Sequence, residues 1–477
     1  MREVARLLLP SVRWDTLRGI AAVWPTVERA LDAGVGGFVL DNIPARAAAE
    51  LTQRIRDRAD EAPLLVVDPT MLAETSSGEA GFSLPPLAAV AAIRDTHAVR
   101  RAARATARAV RRFGGNMMLA PSGDVVGAPR TDAFGADPGA VALAVAEWID
   151  AAQAEGVLCC AGGFPGAGRV ASVERSIPVV QAAEDALYAT DLVPFRAAID
   201  AGVAAISLAV ASYPSLDRTA AAAPFSARVI NRVLRGELGF DGLVIADGGL
   251  LDARAGRPVP VCDLASAGVD LVVRSARLDV ELRALLDAVE HGRLHRERVH
   301  DASSRRRTRA ELAGAPLPLT MVPHTDDADW LEELAERTIA VIRGRAVHIE
   351  APIELAVVGA RPDEVSRLVA AVGDGVGEAG GDASDVRHIS VPSVASRSAV
   401  VVVAADDSRS SEWRSRAAVD LAAFCAHARR ARRDVAVVWC GHPDATPQPV
   451  DADLVIACWS SSGAMLRASG RWLMRRL

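Results

Sequence analysis

The chain has 477 residues, 50% hydrophobic and 24% charged, with a formal net charge of −6. That composition supplies a large core and two or three domains, and it excludes a disordered chain or a small disulfide scaffold. It offers no basic stripe to nucleic acid and no attraction to an anionic membrane, so neither is expected as a partner.

All 54 basic residues are arginine, and of the nine histidines only His97 precedes His291. Chemistry before His291 that needs a lysine ammonium or a second imidazole is therefore excluded. The N-terminal apolar stretch is short and is stopped by Pro10, which argues against a signal peptide. No window approaches the roughly 18 uncharged apolar residues of a membrane span. The cysteines (Cys159, Cys160, Cys262, Cys425, Cys440, Cys458) form no CxxC pair. Reduced, buried thiols in a cytoplasmic protein, with no metal and no cofactor, are expected.

Short apolar runs at 6–9, 37–40, 64–67, 116–119, 157–160, 204–209, 243–246 and 270–273 predict strands. Ala- and Arg-rich amphipathic stretches such as 45–59, 97–113 and 140–154 predict the helices between them. Val and Ile favour the former, Leu, Ala and Arg the latter. Eight strand–helix repeats over the first 312 residues are the arithmetic of a (β/α)8 barrel. A doubly wound sheet competes, but no GxGxxG follows the first strand.

The basic run 305–309 reads as a solvated helix face, and GAPLPL at 314–319 reads as a linker. Beyond it, a helix at 329–343, apolar runs at 354–358, 399–404, 434–439 and 454–458, and helices at 362–372 and 417–431 predict a smaller α/β domain. The Gly- and Asp-rich stretch 373–385 reads as a loop. The expected organisation is thus a barrel over 1–312, a linker over 313–327 and a C-terminal α/β sandwich domain over 328–477.

In a barrel, chemistry belongs at the C-terminal strand ends and the loops that follow. LLVVD (64–68) and GLVIAD (242–247) each end a strand on a carboxylate, Asp68 and Asp247, and LCCAGGFPGAG (158–168) is a glycine-rich loop. A strand-end Asp serves as a helix N-cap about as often as a catalytic group, and a glycine-rich loop is often only a tight turn.

GFDGLVIAD (239–247) resembles the G-F-D-G-x-V-x-S-D segment of glycoside hydrolase family 3, in its β-N-acetylglucosaminidase branch. VLRGEL (233–238), LVPFRAAIDAG (192–202), YPSLD (213–217), residues 116–125 and FGADP (134–138) fit the same pattern. The resemblance implies that Asp247 holds the place of the nucleophile, which attacks the anomeric carbon, and that Asp68 binds sugar hydroxyls. The family loop K-H-F-P-G-H-G-D-T is replaced: Gly162 and Gly163 stand for the Lys-His pair and Ala167 for the next His. The D-S-H stretch, whose His is the branch's general acid/base, falls near Glu174, the one acid between Glu155 and Glu184. The family's substrate-binding Arg falls on Asp132, and a further family His on Val210.

Two readings stay open. One is a retaining glycosidase acting on a β-N-acetylhexosamine-type or cell-wall-derived glycoside, with Asp247 as nucleophile and, as acid/base, either Glu174 or another group such as a carboxylate of the second domain. The other is an inactive relative that binds carbohydrate or protein. The oligomeric state is not legible.

Overall fold

The structure, a computed structural model, describes residues 2–15, 17–41, 43–73, 84–127, 129–170, 176–275, 277–314, 325–344, 347, 349, 352–390, 399–405, 411–447 and 450–476. The chain divides into two compact units. The first comprises Met1–Phe82, Thr96–Ala128 and Phe134–Val322; the second comprises Ser83–Asp95, Pro129–Ala133 and Pro323–Leu477.

The first unit is a closed eight-stranded parallel barrel whose strands follow in chain order. They are β1 (Leu8–Arg13), β2 (Gly37–Asp41), β3 (Leu64–Val67), β4 (Met117–Met118), β5 (Leu158–Phe164), β6 (Ala205–Leu208), β7 (Leu243–Asp247) and β8 (Leu271–Ser275). The helices between them bury one face, as in Thr96–Arg112, where the buried residues are Ala, Val and one Thr. Asp137 caps the helix Pro138–Ala154 by accepting the Ala140 N–H at 2.7 Å. Inside the barrel, Leu9, Val39, Leu64, Val66, Met117, Leu158, Cys160, Leu243, Ile245, Leu271 and Val273 form one core cluster. The interior is packed side chain rather than a pore.

The basic run is only in part a solvated face, with Arg307 exposed. Arg306, 2% exposed, donates to the carbonyls of Gly36 and Ala62 and pairs with Glu61. Arg305 joins Arg235 and Arg298 around Asp270, which is fully buried. A carboxylate buried at the start of β8 needs cations from neighbouring helices, and this helix supplies them.

In the second unit the described strands form one sheet. Its order is β11 (Val386–His388), β10 (Ile353–Val358), β12 (Val400–Ala405), β13 (Val435–Cys440), β14 (Leu454–Ala457), β9 (Ala340–Gly344). All pairs are parallel except β14 with β9. Two sequence expectations fail here. The helix expected over 329–343 ends at Arg337, and β9 begins at Ala340. The stretch read as a loop from 373 begins inside a helix, which runs Pro362–Glu378. Its glycines serve close packing: a Cβ at Gly375 would overlap the Arg467 backbone, and one at Gly470 would overlap the Val372 carbonyl. Glycine is tolerated in these helices because two backbones touch there.

Candidate active site

Alternation along a strand decides which residues reach the barrel rim from inside. Val39, Val66 and Ile245 face the core. Two residues further on stand Asp41, Asp68 and Asp247, so three carboxylates share the inner face at the C-terminal end. In β8, Val273 faces the core, and plain alternation would turn Arg274 outward. Instead Arg274 adopts φ 53°, the left-handed region, and its side chain crosses the rim. Nη1 donates to Asp247 Oδ2 at 2.5 Å, Nη2 to Asp68 Oδ2 at 3.2 Å, and Nε to Asp41 Oδ2 at 3.3 Å.

The other carboxylate oxygens are mostly committed. Asp247 Oδ1 accepts the Leu250 N–H at 2.9 Å and so caps the helix Gly248–Ala255. Asp68 Oδ1 accepts from the Thr70 hydroxyl at 2.7 Å and the Thr70 N–H at 3.1 Å. Ser11 Oγ donates to Asp41 Oδ2 at 3.1 Å, whereas Asp41 Oδ1 is buried with no hydrogen-bond partner among the described residues. Among the described side chains, these three carboxylates and one guanidinium sum to a formal charge of −2. Burial alone would lower the Arg274 pKa, but the charges of Asp247, Asp41 and Asp68 outweigh it and hold it above its ordinary value. The two glycines after Asp247 make room: a Cβ at Gly248 would lie 3.0 Å from Val272 Cγ1, and one at Gly249 would lie 3.3 Å from Arg274 Cβ.

The glycine-rich loop is a packed turn. Asp124, 4% exposed, accepts the Ala167 N–H at 2.8 Å. Gly163 has φ +99°, and a Cβ there would stand 2.5 Å from Asp124 Oδ1. Gly162 has more room, its nearest hypothetical contact being Ser207 Oγ at 3.5 Å. Arg169 grips Asp191 through Nε and Nη2, with its Nη2–Oδ2 contact at 2.8 Å, and Tyr213 OH donates to the Gly166 carbonyl at 3.0 Å. Burial raises the Asp191 pKa despite Arg169.

The structure thus brings Asp68 and Asp247 to one guanidinium. Glu174 lies outside the described residues. Asp132 pairs with Arg130 at 2.7 Å. Sequence reasoning missed Asp41, although GFVLD (37–41) carries the same signal as the other two, a strand ending on a carboxylate. It missed Arg274 because only a backbone outlier turns that side chain inward.

The glycosyl hydrolase family 3 N-terminal domain matches residues 6–308. The chain belongs to glycosyl hydrolase family 3. A β-hexosaminidase of Xanthomonas campestris pv. campestris (strain B100) is 33% identical over 228 residues, 45% of this chain and 67% of that protein. A β-N-acetylglucosaminidase/β-glucosidase of Cellulomonas fimi is 28% identical over 292 residues, 57% of this chain and 51% of that protein. Among solved structures, a family 3 β-N-acetylglucosaminidase from Paenibacillus sp. str. FPU-7 superposes with TM-score 0.81 at 23% identity, covering 100% of this chain and 96% of that one. That likeness bears out the expected fold, a barrel followed by an α/β domain. Within this family-3 chain, the described residues include no helix long and apolar enough to cross a membrane, and all six cysteines are free and buried.

Proposed function

We propose that this chain is a β-N-acetylhexosaminidase-like protein whose barrel mouth takes a saccharide but does not turn over ordinary glycosides. The observation that carries this is the engagement of Asp247: Oδ1 caps a helix and Oδ2 is paired with Arg274 at 2.5 Å. A nucleophile must bring a lone pair to the anomeric carbon, and the guanidinium on Oδ2 stands in that approach and draws off the oxygen's charge.

The acid/base half is also weak. A retaining glycosidase needs a group that protonates the leaving oxygen and later activates water, worth roughly 10²–10⁴-fold in rate. The loop that carries it in the resemblance offers Glu174 and no histidine. Gly163 stands at the place of the family's sugar-gripping His, and its backbone and Asp124 leave no room for an imidazole. Support for a saccharide ligand comes from the carboxylate acceptors at the rim, Asp41, Asp68 and Asp247, whose side chains are 21–23% exposed and so meet solvent together. A cell-wall-derived glycoside in the cytoplasm is the ligand class we assign.

The test is hydrolysis of 2,4-dinitrophenyl N-acetyl-β-glucosaminide at high protein concentration. No release above background is expected, together with a thermal shift by saccharides that Asp68→Ala removes. Turnover that Asp247→Ala abolishes would overturn the proposal.

A further inference from the structure

We propose that Arg274 is a latch on Asp247, a positioning residue whose removal uncovers a nucleophile still competent for one glycosyl transfer. This rests on the functional reading above and extends it from lost turnover to a specific, reversible cause.

Three observations carry it. First, the carboxylate itself is in place. Asp247 ends β7 on the inner face of the rim, at the family's nucleophile position, and its helix cap fixes its orientation. Second, Arg274 reaches it from an unusual backbone. A non-glycine residue at φ 53° is strained, and such strain persists only where the surroundings enforce it. Here the enforcing contacts are the three ion pairs, from β2, from the turn after β3, and from β7. Third, the contacts are unequal. The 2.5 Å pair is with Asp247, whereas those to Asp68 and Asp41 are 3.2 and 3.3 Å. The Arg274 side chain is 22% exposed, so it is reached from solvent rather than sealed in the core. The guanidinium therefore stands where a sugar's polar groups would meet Asp68 and Asp247 together.

The uncovered step is balanced without an acid when the leaving group departs as an anion. An Asp247 carboxylate oxygen forms an ester bond to the anomeric carbon. The bond from that carbon to the aryl oxygen breaks, and its electron pair leaves with dinitrophenolate. A 2-fluoro substituent slows the second half, so the glycosyl-enzyme accumulates.

The experiment uses the full chain and a 2,4-dinitrophenyl 2-fluoro-β-glycoside. Arg274→Met keeps the methylene stem and removes the charge. It should gain one glycosyl mass per chain, release one equivalent of dinitrophenolate, and label at least about tenfold faster than the unchanged protein. Guanidinium chloride at about 10 mM, far below denaturing concentrations, should refill the gap, slow the labelling and raise Tm. Arg274→Met/Asp247→Asn should not label. A folded Arg274→Met that stays unlabelled overturns the latch while leaving the functional reading standing, and so does labelling that survives Asp247→Asn. If Arg274→Met does not fold, Arg274→Gln, which keeps a hydrogen-bond donor, replaces it under the same criteria. Turnover by the unchanged protein overturns the functional reading instead.

Discussion

One cation shared by three anions makes a lopsided prediction for stability. Removing Arg274 takes from Asp41, Asp68 and Asp247 the guanidinium they share, the one cation paired with them among the described side chains. Breaking a buried ion pair by deleting one partner costs about 3–5 kcal/mol. These side chains are 21–23% exposed, so solvent screens part of that cost. About 2–3 kcal/mol is therefore expected for Arg274→Met at pH 7. Part is returned by relief of the strained backbone only if residue 274 leaves the left-handed region. At about 2–4 °C per kcal/mol, Tm should fall by about 4–12 °C.

Asp247→Asn should behave differently. Asparagine caps a helix as well as aspartate, so the bond to the Leu250 N–H survives. Arg274 keeps Asp41 and Asp68, and the cluster's charge falls from −2 to −1. The lost pair and the relieved repulsion offset each other, and the change should stay within about 1 kcal/mol. The two variants are compared by thermal unfolding followed by circular dichroism, in low and high salt. Equal losses, or a larger loss for Asp247→Asn, would refute the view that Arg274 is the shared counter-ion.

Three further outcomes are expected. Gly163→Ala must adopt φ +99° against Asp124 and should cost about 2–4 kcal/mol in urea denaturation, whereas Gly162→Ala should cost under about 1 kcal/mol. Gly375→Ala would drive a methyl into the Arg467 backbone and should destabilise the second unit by more than about 3 kcal/mol, read as loss of its unfolding transition at a lower urea concentration. His442 sits edge-on to Trp459 at 5.0 Å, and its Nδ1 accepts the Asp444 N–H at 3.1 Å. Burial lowers its pKa more than Asp444 raises it. A depressed histidine contributes stability above its unfolded pKa of about 6.5 that is lost as pH falls through the folded value, and His442→Gln should flatten Tm over that range.

The barrel was legible because buried parallel strands read as bare apolar runs. The 64–67 run coincides with β3, and the other seven overlap their strands. Where glycine was involved, reading by residue type misled. β5 continues through Gly162 and Gly163 to Phe164, past the point where the apolar run stops, because the strand there packs against neighbouring backbone. The same error made a loop of the helix around Gly375. In both places the glycines answer to a neighbour far along the chain, which local pattern does not contain. The edge strand β11 has three residues, two of them exposed, so it carries no apolar run to detect. Charge misled likewise: Arg306 looks like surface in sequence and is core in space, because its partner Glu61 lies 245 residues away. At the rim, the signal of an apolar run ending on a carboxylate located Asp68 and Asp247 and would have located Asp41. No pattern of residue types reveals a left-handed arginine.

The empty β5 loop and Arg274 are two halves of one electrostatic problem. Rim carboxylates need nearby positive charge, since isolated carboxylates in a partly dry barrel mouth are costly. The family pattern that the sequence resembles has a lysine at the place of Gly162, and this chain has no cation there. Among the described side chains Arg274 supplies that charge, from β8. If so, a cation restored on β5 should relieve the need for the one on β8. Gly162 is the place to restore it. Leu158 and Cys160 face the core, so alternation points residue 162 to the same inner rim, and a Cβ there meets nothing closer than 3.5 Å. Gly162→Lys should be close to neutral or mildly destabilising alone, because it adds a second cation to a rim that Arg274 already serves. In the Arg274→Met background it should recover about 1–2 kcal/mol, a coupling well outside additivity. Additive Tm changes in that double-mutant cycle would mean that the two positions do not share a charge, and that the glycines of β5 were selected by packing alone.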